Sequence, residues 1–198
     1  MIPWREYNYP PLLRLTHYSH TKLNPEFKQQ VRKMHLAAIL ILVQSVLNFL
    51  NVVIQVGEGH QSGIFVLYTL LNFAIFNGLA FFSFIAGFQA LTEGPMKMAS
   101  KLYLGTQLVC IFFWFLFSIM NGSSYNGFVS INELTKAKLG FCVFLAIVES
   151  LLYLAAMCLS IWNVYQYRKL HGMNAFAQDS EADDPAATQP DMEGGRRI

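Results

Sequence analysis

Glu149 is the one acidic residue within an otherwise uncharged stretch, 139–162, and it raises the first chemical question. An isolated carboxylate in hydrocarbon is costly, so the group must be neutral, hydrogen-bonded or in contact with water. Amides that could serve it lie in other uncharged stretches. Gln44, Asn48 and Asn51 recur at i, i+4 and i+7, which is one face of a helix. Asn72 and Asn77 sit five apart and face different neighbours, and Gln107 stands alone. Two chemistries fit this set. One is a proton-coupled or ion-binding site made of Glu149 and the amides. The other is interhelical hydrogen bonding that holds helices in register, at about 0.6 kcal/mol per contact. The set contains no cation to pair with Glu149. No stretch is broken by proline at its midpoint, as many transporter substrate sites are. The residues therefore favour the second chemistry.

Nothing in the chain points to an enzyme. It has no glycine-rich phosphate loop, no nucleophile elbow and no metal-ligand spacing, so no catalytic residue, cofactor or metal is expected. His17 and His20 are three apart without an acidic or thiol neighbour, and His171 belongs to a basic juxtamembrane run. Cys110, Cys142 and Cys158 have no paired spacing and read as small apolar packing residues. Cys158, near a helix end, is also a candidate for palmitoylation. Asn121-Gly122-Ser123 is a glycosylation sequon, but it sits against the membrane, which argues against its use.

The elements that must position these side chains follow from charge. Apolar residues make up 54% of the 198 positions and charged residues 13%, about half the share of a soluble domain. Charge is absent from 36–57, 61–92 and 102–132, and 139–162 carries only Glu149. A helix needs about 20 apolar residues to cross the ~30 Å hydrocarbon core, and a lipid-spanning backbone must satisfy its own hydrogen bonds. The spans are placed at 36–56, 63–88, 102–120 and 139–162. The fold expected is an all-α membrane protein, a four-transmembrane-helix bundle, with connections at 57–62, 89–101 and 121–138. The middle connection carries the helix breaker Gly94-Pro95.

Lysine and arginine orient the bundle. Twelve lie in the N-terminal segment, the second connection and the tail, against two, Lys136 and Lys138, in the other connections. Both termini should therefore be cytosolic. No cleavable signal peptide is expected. The chain divides into a cytosolic N-terminal segment (1–35), the transmembrane core (36–165) and a cytosolic tail (166–198). Beyond Phe176 the tail mixes acids with Pro, Ala, Gly and Thr, a composition too polar to fold. In the first segment, Asn24-Pro25-Glu26 reads as a helix start. Phe27, Val31 and Met34 share one face, and Lys28, Arg32 and Lys33 lie off it. Such an amphipathic helix should lie on the cytoplasmic leaflet and run into the first span, and each cation contributes about 1 kcal/mol toward anionic lipid.

The order of these features resembles the secretory carrier membrane proteins. Asn8-Tyr9-Pro10-Pro11-Leu12 is similar to the family's Asn-Trp-Pro-Pro-Leu. Pro25-Glu26-Phe27-Lys28-Gln29-Gln30 and the basic run after it resemble the family's approach to the first span. Tyr125-Asn126-Gly127-Phe128-Val129-Ser130-Ile131 is close to a Trp-Gly…Gly-Trp-Ile-Ser segment. Tyr165-Gln166-Tyr167-Arg168, then Phe176 and Gln178, resemble the family's final stretch. The likeness covers about residues 8–178. It implies a short member without Asn-Pro-Phe repeats, acting in vesicle-mediated transport (exocytosis, endocytosis and recycling) as a non-catalytic scaffold. The membranes implied are Golgi, endosomal, secretory-vesicle or plasma membrane. The partners implied are the bilayer with its anionic cytoplasmic lipids, other trafficking proteins and a second copy of the chain, and not nucleic acid. The chain departs from the family at Phe84-Ile85-Ala86-Gly87-Phe88-Gln89-Ala90-Leu91, which lacks the family's Cys-Trp-Tyr-Arg-Pro segment. Two other functions stay open: a small channel or transporter centred on Glu149, and an accessory subunit of a larger complex.

Overall fold

All four expected spans are helical in the computed structural model, which describes residues 9, 23–92, 97–122, 124–171 and 173. In chain order the elements are α1 (Pro25–Gly57), α2 (Ile64–Thr92), α3 (Lys97–Ile119), β1 (Asn121–Gly122), β2 (Tyr125–Asn126), α4 (Ser130–Lys136) and α5 (Gly140–Leu170). The four long helices are each apolar enough to cross a membrane. Around the bundle they run α1, α2, α3, α5, each packing on its neighbours in that ring. Both termini of the bundle therefore lie at one end. This basic end is the one that the lysine and arginine count assigns to the cytoplasm.

Helix α1 starts where Asn24-Pro25 predicts, with the Lys28 amide donating to the Asn24 carbonyl at 2.9 Å. It continues without a break for 33 residues, about 50 Å at 1.5 Å per residue. The amphipathic segment does run into the spanning helix, as its first third, but its apolar face turns to the bundle rather than to a leaflet. Its stripe of Phe27, Val31 and Met34 is buried by protein, against Phe84, Phe88, Leu91, Tyr103 and Tyr167. A helix already hydrogen-bonded through Leu36 has no reason to bend at the membrane surface when its apolar face has partners further down. Helix α2 likewise runs past its expected end at 88 as far as Thr92, and Phe84, Ala86, Phe88, Ala90 and Leu91 are all core residues.

The bundle tightens where side chains are smallest. A Cβ on Gly87 would meet the Tyr103 ring at 2.8 Å and Met34 Sδ at 3.1 Å, so this glycine lets α2 close on α1 and α3. Midway down, Ile41, Ala80, Cys110, Trp114 and Ala156 form a second buried layer, with Tyr153 and Phe117 above it.

The connection 121–138 is structured. The α3 carbonyls of Ser118, Ile119 and Met120 lack intrahelical partners, as at any helix C-terminus. They accept hydrogen bonds from the amides of Phe128, Val129 and Gly127 at 2.9–3.0 Å. The chain between them forms the antiparallel β1–β2 pair, Asn121 opposite Asn126 and Gly122 opposite Tyr125. Gly127 is required here: a Cβ would fall 2.4 Å from the Met120 carbonyl oxygen. Helix α4 then lies across α5. It closes with Lys138 at φ 60°, its amide donating to Thr135 and that of Leu139 to Leu134, a left-handed cap usually given to glycine. Several expectations lie outside the described residues. They are the placements of Asn8, Pro10, Pro11, His17, His20, Gly94 and Pro95, and the state of the tail from Asn174.

Candidate functional site

The far half of the bundle encloses a set of polar side chains joined into one network. Asn48, Asn51 and Gln55 project from one face of α1, and all three are buried. Glu149, 0% exposed, comes from the facing turn of α5. The Asn51 amide donates to Glu149 Oε1 at 2.8 Å. Gln55 donates from Nε2 to Asn51 Oδ1 and to Asn126 Oδ1, both at 3.1 Å. Asn126 is carried in from β2 and donates to Asn48 Oδ1 at 3.3 Å. Asn48 donates to the Ser124 carbonyl at 2.8 Å, and Asn72 of α2 donates to the Ser124 hydroxyl at 2.8 Å. Ser150 of α5 donates to the Ala146 carbonyl at 2.7 Å and lies 3.4 Å from the Asn126 carbonyl. Three helices and the hairpin are thereby tied together.

The arrangement accounts for the amide row at the sequence level. Each amide presents a donor and an acceptor, so amides can chain, each accepting from one neighbour while donating to the next. The chain ends on a carboxyl group, which accepts. Its second oxygen, Oε2, is buried without a partner among the described residues. The network reaches a cavity. Gln55 and Asn126 also line a space of about 350 Å³ at the far end, walled by His60, Gln61, Ser62, Asn121 and Glu133. Toward the basic end lie Ile41, Cys110, Trp114 and Ala156, each at most 2% exposed.

The remaining predicted positions fall differently. Gln44 is buried next to the network, its oxygen 3.5 Å from the Ser45 hydroxyl, and it lines a 10 Å³ void with Asn48 and Asn72. Asn77 does not bridge helices; it donates to the Phe73 carbonyl of its own helix at 2.8 Å. Gln107 is buried on α3, with Oε1 unpartnered among the described residues. Asn121 is exposed on β1 and donates to Glu133; Ser123 of its sequon lies outside the described residues. Cys110 and Cys142 are buried and Cys158 is exposed. Of the basic trio, Arg32 is exposed and Lys28 is half-buried, while Lys33 rests 5.5 Å above the Trp162 ring.

Tyr9, the described member of the family-like motif, is seated at the basic end. Its hydroxyl bonds His35 Nε2, its ring stacks on Phe81 and meets Phe84 edge-on, and burial raises its phenol pKa above the ordinary value.

Four network members, Gln55, Ser124, Asn126 and Ser150, were missed by sequence reasoning. Gln55 continues the α1 row by one more i+4 step and could have been found from that spacing alone. Asn126 carried no such signal, because a loop residue has no periodicity. No family model, no curated protein and no solved structure matches the chain.

Proposed function

We propose that this protein is a non-catalytic scaffold of vesicle membranes in the manner of the secretory carrier membrane proteins, working in exocytic, endocytic and recycling transport. The observation that carries this reading is the tight packing between the polar network and the basic end. A transport path through Glu149 would have to pass Ile41, Cys110, Trp114 and Ala156, each at most 2% exposed. Groups that serve only to hold helices together need no such exit. The seating of Tyr9 supports the same reading, because it packs one residue of the family-like motif against Phe81 and Phe84 of α2. The proposed setting is a Golgi, endosomal, secretory-vesicle or plasma membrane with both termini in the cytosol. Its proposed partners are trafficking proteins and a second copy of the chain.

The competing function, a small proton- or ion-coupled transporter, rests on the unpartnered Glu149 Oε2 and the cavity above it. Two measurements decide. Purified protein in liposomes should pass neither protons nor small ions, and Glu149→Gln should leave that unchanged. A flux that the variant abolishes would replace the scaffold with a transporter. A tagged copy in cells should follow endosomal and Golgi markers, and its depletion should slow cargo delivery. Residence in mitochondria would remove the vesicle reading. Purification in fixed stoichiometry with a larger complex would make it an accessory subunit instead.

A further inference from the structure

A second concave site lies at the basic end, where the first turns of α1 meet the last turns of α5. Its volume is about 250 Å³, and its walls include Lys33, Lys169, Gln29, Gln166, Glu26 and Trp162. The two helices arrive antiparallel, so cations from distant parts of the sequence are brought to one hollow. Lys33 is held over the Trp162 ring face rather than against a carboxylate. Trp162 and Tyr165 are largely exposed on the outer face of α5, the disposition of aromatic side chains at the headgroup level of a bilayer. The floor is polar as well. Gln30 donates to the Asn163 carbonyl and to its side-chain oxygen at 3.1 and 3.2 Å. Asn163, 0% exposed, keeps Nδ2 without a partner among the described residues. Asn163 lies behind Gln30 and does not line the hollow, which itself combines two ammonium groups and the amides of Gln29, Gln30 and Gln166, with one opposing carboxylate, Glu26.

We infer that this hollow is a binding site for a phosphate monoester on a lipid headgroup, held between Lys33 and Lys169. Ammonium groups neutralise the phosphate charge, and amide donors take its remaining oxygens. Basic pockets between spanning helices at the cytoplasmic surface bind such headgroups. The site differs from a diffuse basic surface in a testable way: Lys28 and Arg32 carry equal charge close by on α1 but do not line it. The inference stands apart from the trafficking proposal and holds whatever the membrane.

The test uses the full chain in nanodiscs of neutral lipid doped either with a monophosphorylated phosphoinositide or with phosphatidylserine at matched charge. Retention of a fluorescent phosphoinositide is then measured. Lys33→Gln with Lys169→Gln should weaken phosphoinositide binding about thirtyfold, at ~1 kcal/mol per cation, and phosphatidylserine binding far less. Lys28→Gln with Arg32→Gln leaves the hollow intact, and in a disc of mainly neutral lipid, where the diffuse surface attraction is small, it should change phosphoinositide binding less than about threefold. Glu26→Gln removes the opposing charge and should tighten it severalfold, which guards against a loss caused by misfolding. Equal losses from the two double variants, or binding set by lipid charge alone, would overturn the site. Soluble inositol monophosphate competing at the lipid's own affinity would overturn the lipid assignment; competition only at much higher concentration supports it.

Discussion

The two ends of this bundle are held by different forces. At the basic end the helices meet through apolar and aromatic side chains, Phe27, Val31, Met34, Phe84, Phe88 and Tyr103, with the Tyr103 and Tyr167 rings 4.8 Å apart. At the far end they meet through amides, a carboxyl group and a backbone hairpin. Lipid is as apolar as leucine, so the basic end gains from shape fit rather than from escape from water. The far end gains from directed bonds whose alternative is an unsatisfied group in hydrocarbon. The first can yield by moving a side chain. The second has partners fixed by backbone.

The substitution that tests this contrast most severely is Gly127→Ala. The new methyl would lie within 2.4–2.7 Å of backbone atoms at Met120, Ile119 and Phe117, which have no rotamer to change. The hairpin should leave its seat, lowering stability by about 3 kcal/mol, read from the unfolding midpoint in detergent by circular dichroism. Next comes Asn51→Leu, which removes the donor to Glu149 and the acceptor for Gln55 while leaving both buried. A loss of about 2 kcal/mol is expected. A loss no larger than an ordinary surface substitution would mean that the network does not hold the far end. Gly87→Ala is the counterpart at the basic end. Its clash is with the Tyr103 ring and the Met34 sulfur, which can shift, so about 1 kcal/mol is expected. A Gly87 cost matching that of Gly127 would erase the distinction between the two ends. The smallest effect belongs to Glu149→Gln. The amide keeps an acceptor for Asn51, and the change should stay within about 0.6 kcal/mol in the same unfolding assay.

Much of this was legible in the sequence because lipid imposes a simple rule. Uninterrupted apolar stretches without charge marked the four long helices, and the i, i+4, i+7 row at Gln44, Asn48 and Asn51 gave α1 its inward face. Helix ends were less legible where no cap announced them. Absence of charge marks where hydrocarbon begins, whereas α5 continues helical through Arg168 to Leu170 and α2 to Thr92. The burial of the Phe27, Val31 and Met34 stripe by protein was missed because it depends on how far the helices run together beyond the membrane core. Asn126 and α4 were missed for another reason. Their positions follow from the unsatisfied carbonyls at the end of α3, a tertiary demand that no local pattern announces. Asn77 satisfied itself within its own helix, an option that spacing cannot distinguish from a bridge.

The unbroken length of α1 has a mechanical consequence. One rod carries Gln30 and Lys33 at one membrane surface and Asn51 and Gln55 at the other. It cannot roll, because each residue step is a turn of about 100° and even a fraction of that would carry Asn51 away from Glu149. A tilt about the packed layer at Ile41 would carry its basic tip and its far tip in opposite directions, without any side chain between having to relay the motion.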